Sequence, residues 1–440
     1  MAVRNESVAL MNQQNEQIAK RIKQMIWLYF FLLIFEGALR KWFLPFLATP
    51  LLVVREPVAI YAVFLAIKYR LFPVSPSLLL FVLTGIVTTF LALFLGHQNL
   101  FVALFGARIF FFHVPFVYLI ASFWTYNDFL QLGKIFLWLT LLMTIIIFFQ
   151  FYSPQSALIN RGVGGDTSGA GFSGAKGFFR PPGTFSFING TTSFYALAIC
   201  FITYFWLSRN KVNKILLIGA TLGAIIAIPL SISRTYFFNV VLLLLFVGGI
   251  QLRNPRQLPK TLIAIVVLVL VGVVLVQVPE VSTALEAFTS RFDAANENEG
   301  GLEGVLLVRF LGGMYEYLFQ AGDIPFWGAG LGMGSNVGAM LLSGEAVFLL
   351  PEVEWGRILG EIGVVFGLLV IILRVQIGFG SLWKAFKKIG KGEYLSWLLL
   401  STGFVVIIQG QWGQPTNLGF FVITTGLVLA SLEVENSLDE

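Results

Sequence analysis

Residues 180–189 read RPPGTFSFIN and residues 231–235 read SISRT. Between them lie an apolar run, a basic turn at Arg209, Lys211 and Lys214, and a second apolar run. Read as a helical hairpin, this stretch brings Arg180 and Arg234 to one face of a membrane from opposite ends. Two guanidinium groups at one boundary suit an anionic ligand, because arginine's rigid fork of donors matches phosphate and carboxylate oxygens.

The rest of the chain fits that reading. With 57% hydrophobic and 12% charged residues and a mean hydropathy of +0.84, its 440 residues have too little polar surface for a water-soluble globule. Residues 1–24 are polar and no small-residue cleavage site follows the first apolar run, so that run is expected to be a retained span. Cys200 is the only cysteine, which excludes disulfides and cysteine-based metal sites within one chain. The net charge of +6 is scattered over many short loops, a pattern of membrane sidedness and not of nucleic-acid binding.

Apolar run lengths predict an all-α polytopic membrane protein of about twelve transmembrane helices, near 25–45, 57–69, 77–95, 100–123, 129–151, 187–207, 215–231, 236–250, 261–278, 355–374, 394–409 and 417–432. The second is short and interrupted by Arg55, Glu56 and Pro57, so the first two could be drawn differently. The expected organisation is an N-terminal segment 1–24, one membrane-embedded domain 25–432 with outer loops 152–186 and 279–351, and a tail 433–440. Twelve spans put both termini on one side, where 18 of the 29 basic residues fall, including Arg374 and nearly every lysine; the termini are therefore expected to be cytoplasmic.

Of the eleven basic residues left over, nine are arginines: Arg40, Arg55, Arg108, Arg161, Arg180, Arg234, Arg291, Arg309 and Arg357. That skew marks the outer face as an oxyanion surface, unless these side chains snorkel or pair with acids. Loop 152–186 carries seven glycines between Arg161 and Arg180 and needs a ligand or the second loop to order it. In the second loop, 302–320 suggests an amphipathic helix, with Leu302, Val305, Leu306 and Phe310 on one stripe and Arg309 beside it. The run 337–350 is too short to span and suits an interfacial segment or a lid. PFWGAGLGMG at 325–334 lacks both the spacing and the βαβ setting of a nucleotide loop.

Glu354, Arg357 and Glu361 share a helix face, and Arg357 with Glu361 suits an i, i+4 ion pair. Glu352 and Glu354 stand just outside that apolar run, and either is a candidate general base. His97 and His113 have no ligand spacing near them, so no metal or other cofactor is expected and structural roles are favoured.

Arg180-x-x-Gly183-Thr184-Phe185 with Asn189, Ser233-Arg234 two spans later, a large outer loop with PFWGAGLGMG, and an E-x-G motif at Glu361 and Gly363 together resemble the O-antigen ligase/polymerase family of bacterial envelope glycosyltransferases. The resemblance covers about residues 77–432 and implies a GT-C-like architecture in the bacterial inner membrane. It implies undecaprenyl-pyrophosphate-linked glycans as donor and acceptor at the outer face, without metal or nucleotide sugar, and a chain-length regulator and a flippase as partners. It also implies that Arg180 and Arg234 bind the pyrophosphate. Ligases of the family carry a histidine eleven residues before the glycine of E-x-G; here that position is Glu352, which favours a polymerase of O-antigen, capsule or exopolysaccharide.

The expected chemistry is inverting polymerisation, with Glu354 or Glu352 taking a sugar hydroxyl's proton. Arg180, Arg234, Arg309 and Arg357, with Arg161 nearby in sequence, would bind the departing pyrophosphate. The rivals are a ligase that moves finished glycan to another acceptor and a transporter or flippase of an anionic lipid or solute.

Overall fold

The computed structural model describes residues 2–208, 212–255, 259, 272–274, 276–298, 312–319, 325–345, 347 and 349–434. Among these, nine helices are long and apolar enough to cross a bilayer, and two shorter apolar helices, Lys214–Leu230 and Leu395–Gln409, pack with them. The chain is an all-α polytopic membrane protein, and its described sheet is one antiparallel hairpin, Phe172–Ala175 with Phe178–Arg180.

Helices stand where the apolar runs are, because run length and hydropathy decide spanning segments before any tertiary contact does. The run 187–207 is the helix Ile188–Leu207, 215–231 is Lys214–Leu230, 394–409 is Leu395–Gln409 and 417–432 is Pro415–Glu433. The expected span 261–278 falls largely outside the described residues. In the doubtful second span only Glu56–Lys68 is a sustained helix, and Ala48–Leu51 precedes it as a single turn.

Ile188–Leu207 and Pro415–Glu433 are the central helices, each 78% buried over its most apolar window. Tight approach between elements rests on small residues, since lipid gives apolar side chains no reason to leave it. A Cβ on Gly37 would lie 2.4 Å from the Phe185 carbonyl carbon, so this glycine lets the first helix touch the backbone of the RPPGTFSF segment. Ile60, Phe64, Ile67, Leu83 and Phe90 stay exposed on the outside of the bundle, as lipid-facing residues do.

The expected span 355–374 needs correction. Glu354–Ile389 is one helical run only by length, for Gly363 has φ 76° and ψ 176°, a conformation essentially closed to residues with a Cβ. There the chain doubles back: the Cβ position of Gly367 lies 3.1 Å from the Leu359 Cα. Residues 354–362 are therefore a short re-entrant arm, and the long helix begins at 364. The glycine-rich loop 325–334 caps the arm, with Ala329 N–H donating to Gly360 O (2.7 Å), Gly330 N–H to Glu361 O (3.0 Å) and Val364 N–H to Phe326 O (3.1 Å). The first two satisfy carbonyls that the end of the arm leaves open, and the third gives an acceptor to the first N–H of the helix that follows.

Candidate functional site

The site begins with the turn after Arg180. Pro181 and Pro182 have no N–H to give a strand ladder and Gly183 has φ 61°, so the polar backbone groups of this turn need side-chain partners. Gln150 brackets Gly183, its Oε1 accepting from Gly183 N–H at 2.7 Å and its Nε2 donating to Gly183 O at 3.2 Å. Lys41, 0% exposed, donates from Nζ to Gly183 O (2.7 Å) and Phe185 O (2.6 Å). Thr184 Oγ1 donates to Ile34 O at 2.7 Å. Arg40, from the same π-helical turn as Lys41, donates to Ser186 Oγ at 3.1 Å and pairs with Glu36 at 3.4 Å. The first helix thus holds the turn by charge-assisted hydrogen bonds, which fixes where Arg180 stands.

Arg180 and Arg234 are brought together by a second set of contacts. Ile232, in the turn before Arg234, packs on the hairpin, its Cδ1 2.7 Å from the Cβ position of Gly174. Ser233 caps the helix Arg234–Arg253 and its hydroxyl meets Thr192 Oγ1 of Ile188–Leu207 at 3.0 Å. A further helix, Pro279–Asn298, packs on the hairpin, with Lys176 Nζ 3.0 Å from Glu286 Oε2, so the two long loops of the sequence meet here. Phe292 of this helix meets Phe237 at 5.6 Å and Phe238 at 6.2 Å, which brings Arg291 into the group. Burial, then the positive charges of Arg291 and Arg234, push Arg180 below the ordinary guanidinium value. Arg180 also lies over the Phe172 ring at 5.9 Å, and its buried Nε finds no hydrogen-bond acceptor among the described residues.

The sequence puts Arg291 among the nine arginines of the expected oxyanion surface but does not single it out as a pyrophosphate ligand. The signal was present in the spacing of Ala284, Ala287, Phe288 and Phe292, the apolar face of a helix with Arg291 beside it.

On its other side Arg180 faces a cavity of about 430 Å³, within the roughly 300–1,000 Å³ of small-molecule sites. Glu352, exposed, lines the same cavity, and so do Arg40, Ser186, Asn189 and the turn from Gly413 to Asn417. The short helix Asn336–Ser343, within the expected lid 337–350, lends Asn336 and Val337 to its wall. One cavity therefore holds a carboxylate, two guanidiniums, one of them backed by two more, and a set of carboxamides.

Glu354 and Arg357 occupy a different place. Both are buried, and Arg357 holds Glu354 in a fork, Nε to Oε2 and Nη2 to Oε1 at 2.9 Å each. Its Nη1 meets Glu361 Oε2 at 2.6 Å. Glu354 also accepts from Arg374 Nη1 at 3.0 Å and from Trp412 N–H at 3.1 Å, and Glu361 from Gly334 N–H at 2.8 Å. Two acids and two bases thus neutralise one another in the interior, which leaves Glu354 no free oxygen for a sugar hydroxyl and Arg357 no free donor edge for a pyrophosphate. The expected general base Glu354 is therefore taken up by ion pairs, and Arg374, counted among the terminus-side charges, is a buried member of this quartet.

Arg161 sits in the loop after the turn Leu158–Asn160, half-buried, with no contact to Arg180 among those of the described residues. Arg309, with the stripe Leu302, Val305, Leu306 and Phe310, lies outside the described residues. His113 Nδ1 meets Tyr29 OH at 3.1 Å and its Nε2 lies 3.5 Å from Glu56, while His97 bridges Asn99 N–H and Leu331 O. Both are tied into packing. Among the described residues no three His, Cys, Asp or Glu side chains gather as a metal site.

The chain matches no family model, no curated protein and no solved structure.

Proposed function

We propose that this chain is a membrane glycosyltransferase that joins undecaprenyl-pyrophosphate-linked oligosaccharide repeats at the outer face of a bacterial inner membrane, both termini being cytoplasmic. The observation that carries this reading is Arg180, which lines one cavity with Glu352 and shares its electrostatic field with Arg234 and Arg291. Like charges drawn together repel, and a diphosphate offset by three guanidiniums removes that cost.

In the proposed reaction a hydroxyl on the terminal sugar of one repeat attacks the anomeric carbon of another from the face opposite the diphosphate. The new C–O bond forms as the anomeric C–O bond to phosphate breaks, so the configuration inverts. Glu352 takes the hydroxyl proton, and Arg180, Arg234 and Arg291 neutralise the lipid diphosphate that leaves. The donor is already activated, so positioning and charge stabilisation suffice. Glu354, Arg357 and Glu361 support the site from below and touch neither reactant.

Reconstitution with a purified lipid-linked repeat alone tests this. A ladder of longer lipid-linked products supports a polymerase; reaction only after a second acceptor is added favours a ligase; no covalent product in either case refutes both.

One observation favours a second reading, transport of an anionic lipid or solute. The arm 354–362, reversed at Gly363, is a broken helix of the kind that lines transporter sites. Movement of a labelled lipid-linked substrate across the bilayer without covalent change would establish it.

A further inference from the structure

The groups lining the cavity divide by chemistry. Arg180, with Arg234 and Arg291 near it, and Arg40 supply the positive charge. The turn and first residues of Pro415–Glu433, with Asn189 of Ile188–Leu207, bring neutral carboxamides joined in a row. Asn189 Nδ2 donates to Gln414 Oε1 at 3.4 Å, Asn417 Nδ2 donates to the same oxygen at 3.2 Å and to Gln411 Oε1 at 2.7 Å. Gln411 Nε2 in turn donates to the backbone oxygen of Glu352 at 3.1 Å.

A carboxamide offers a donor and an acceptor side by side, which matches two neighbouring hydroxyls on a pyranose and gives an anion no net charge to meet. Because the amides bond one another, their orientations are set before a ligand arrives, so less side-chain freedom is lost on binding. The cavity also has an aromatic patch. Phe172 and Phe187 pack at 5.6 Å between ring centroids, yet remain 46% and 45% exposed. Exposed rings beside hydroxyl-matching groups suit the apolar C–H face of a sugar, which one face of an aromatic ring can cover.

We propose that Asn189, Gln414 and Asn417, oriented by Gln411, form with Phe172 and Phe187 a subsite for a neutral sugar unit, next to the arginine cluster. The subsite deepens the proposed function and rests on it for the claim that the bound sugar is the attacking one. In that role it presents the acceptor's terminal residue to Glu352, which shares the cavity and is tied to the row through Gln411.

The test uses the full chain in nanodiscs on an array of neutral and acidic oligosaccharides, alongside the extension assay with lipid-linked repeats. The double variant Gln414→Leu/Asn417→Leu is expected to weaken neutral-glycan capture about ten-fold, as loss of one or two neutral hydrogen bonds does, while Lys176→Ala, outside the cavity, leaves that capture intact. In the extension assay the same double variant is expected to raise the acceptor KM with little change in kcat. Unchanged thermal unfolding in detergent shows that the variants are folded; Gln414→Asn, which keeps the amide, is the second variant should the double one unfold, and its partial retention of capture is expected. No capture of any neutral glycan, capture indifferent to the amides, or capture of acidic glycans alone overturns the subsite. If extension proceeds and the amide variants leave the acceptor KM unchanged, the subsite fails and the proposed function stands. If capture follows the amides but no covalent product forms, the proposed function fails and the subsite stands.

Discussion

Glu354 and Arg374 are 20 residues apart in one helical run, yet Glu354 Oε1 and Arg374 Nη1 are 3.0 Å apart. A straight helix rising 1.5 Å per residue would separate them by about 30 Å, so the contact requires the reversal at Gly363. Arg374 also donates to Ile407 O (2.7 Å) and Gly410 O (2.8 Å) and lies over the Trp412 ring at 4.5 Å. It thereby ties the re-entrant arm, which begins two residues after Glu352, to the turn that carries the carboxamides.

Removing one member of this pair leaves a buried charge short of a partner. Arg374→Gln and Glu354→Gln are each expected to destabilise the protein by about 3–5 kcal/mol, measured by thermal unfolding in detergent. The double variant restores charge balance and is expected to cost clearly less than the sum. Simple additivity would show that the two groups do not interact.

Gly363→Ala tests the reversal itself. Its backbone conformation carries about 1–3 kcal/mol of strain for a residue with a Cβ, and that Cβ would stand 2.4 Å from Phe326 O. We expect a sharp drop in the yield of folded protein from membranes, whereas Gly380→Ala, at a position with open space around its Cβ, is expected to be tolerated. Equal yields would argue against the folded-back arm.

Lys41→Met keeps the bulk of the side chain and removes the donor to Gly183 O and Phe185 O. A stability loss of about 1–3 kcal/mol is expected, chiefly from Phe185 O, since Gly183 O keeps Gln150 Nε2. Under the proposed function, extension should fall at least about ten-fold as Arg180 loses its fixed position. Activity and melting temperature both at wild-type level would show that the clamp does not position Arg180.

Arg180→Ala and Arg234→Ala are expected to insert normally and to lose about 10²-fold or more in the rate of chain extension, since each removes a donor from the departing diphosphate. Full extension by both variants would remove the cluster from the mechanism.

Lys176→Ala serves as the contrast. Its pair with Glu286 is more than half exposed on both sides, and exposed pairs contribute about 0–1 kcal/mol. No measurable change in melting temperature is expected; a large one would mean that the hairpin depends on the overlying helix far more than an exposed contact can explain.

Helix positions could be read from the sequence because run length and hydropathy are local properties, as at Ile188–Leu207 and Leu395–Gln409. The reversal at Gly363 could not, since hydropathy carries no direction and 355–374 looks like any spanning run. Arg180 with Arg234 was legible because a short turn fixes where Arg234 can stand. Of the two arginines that hold Glu354, Arg357 was legible as its i, i+3 neighbour and Arg374 was not, because only i, i+3 and i, i+4 neighbours can be inferred without the fold. The carboxamide row was likewise hidden, for Asn189 and Gln414 meet only after the Ile188–Leu207 and Pro415–Glu433 helices pack.

Lys41 grips oxygens that belong to the main chain, and a peptide oxygen stays in place whatever side chain follows it. Side chains around Gly183 and Phe185 can therefore drift over generations, within steric limits, while the ammonium keeps its hold. No substitution in the turn can make up for losing the lysine. Relatives of this chain should diverge in the turn sooner than they give up the cation at position 41.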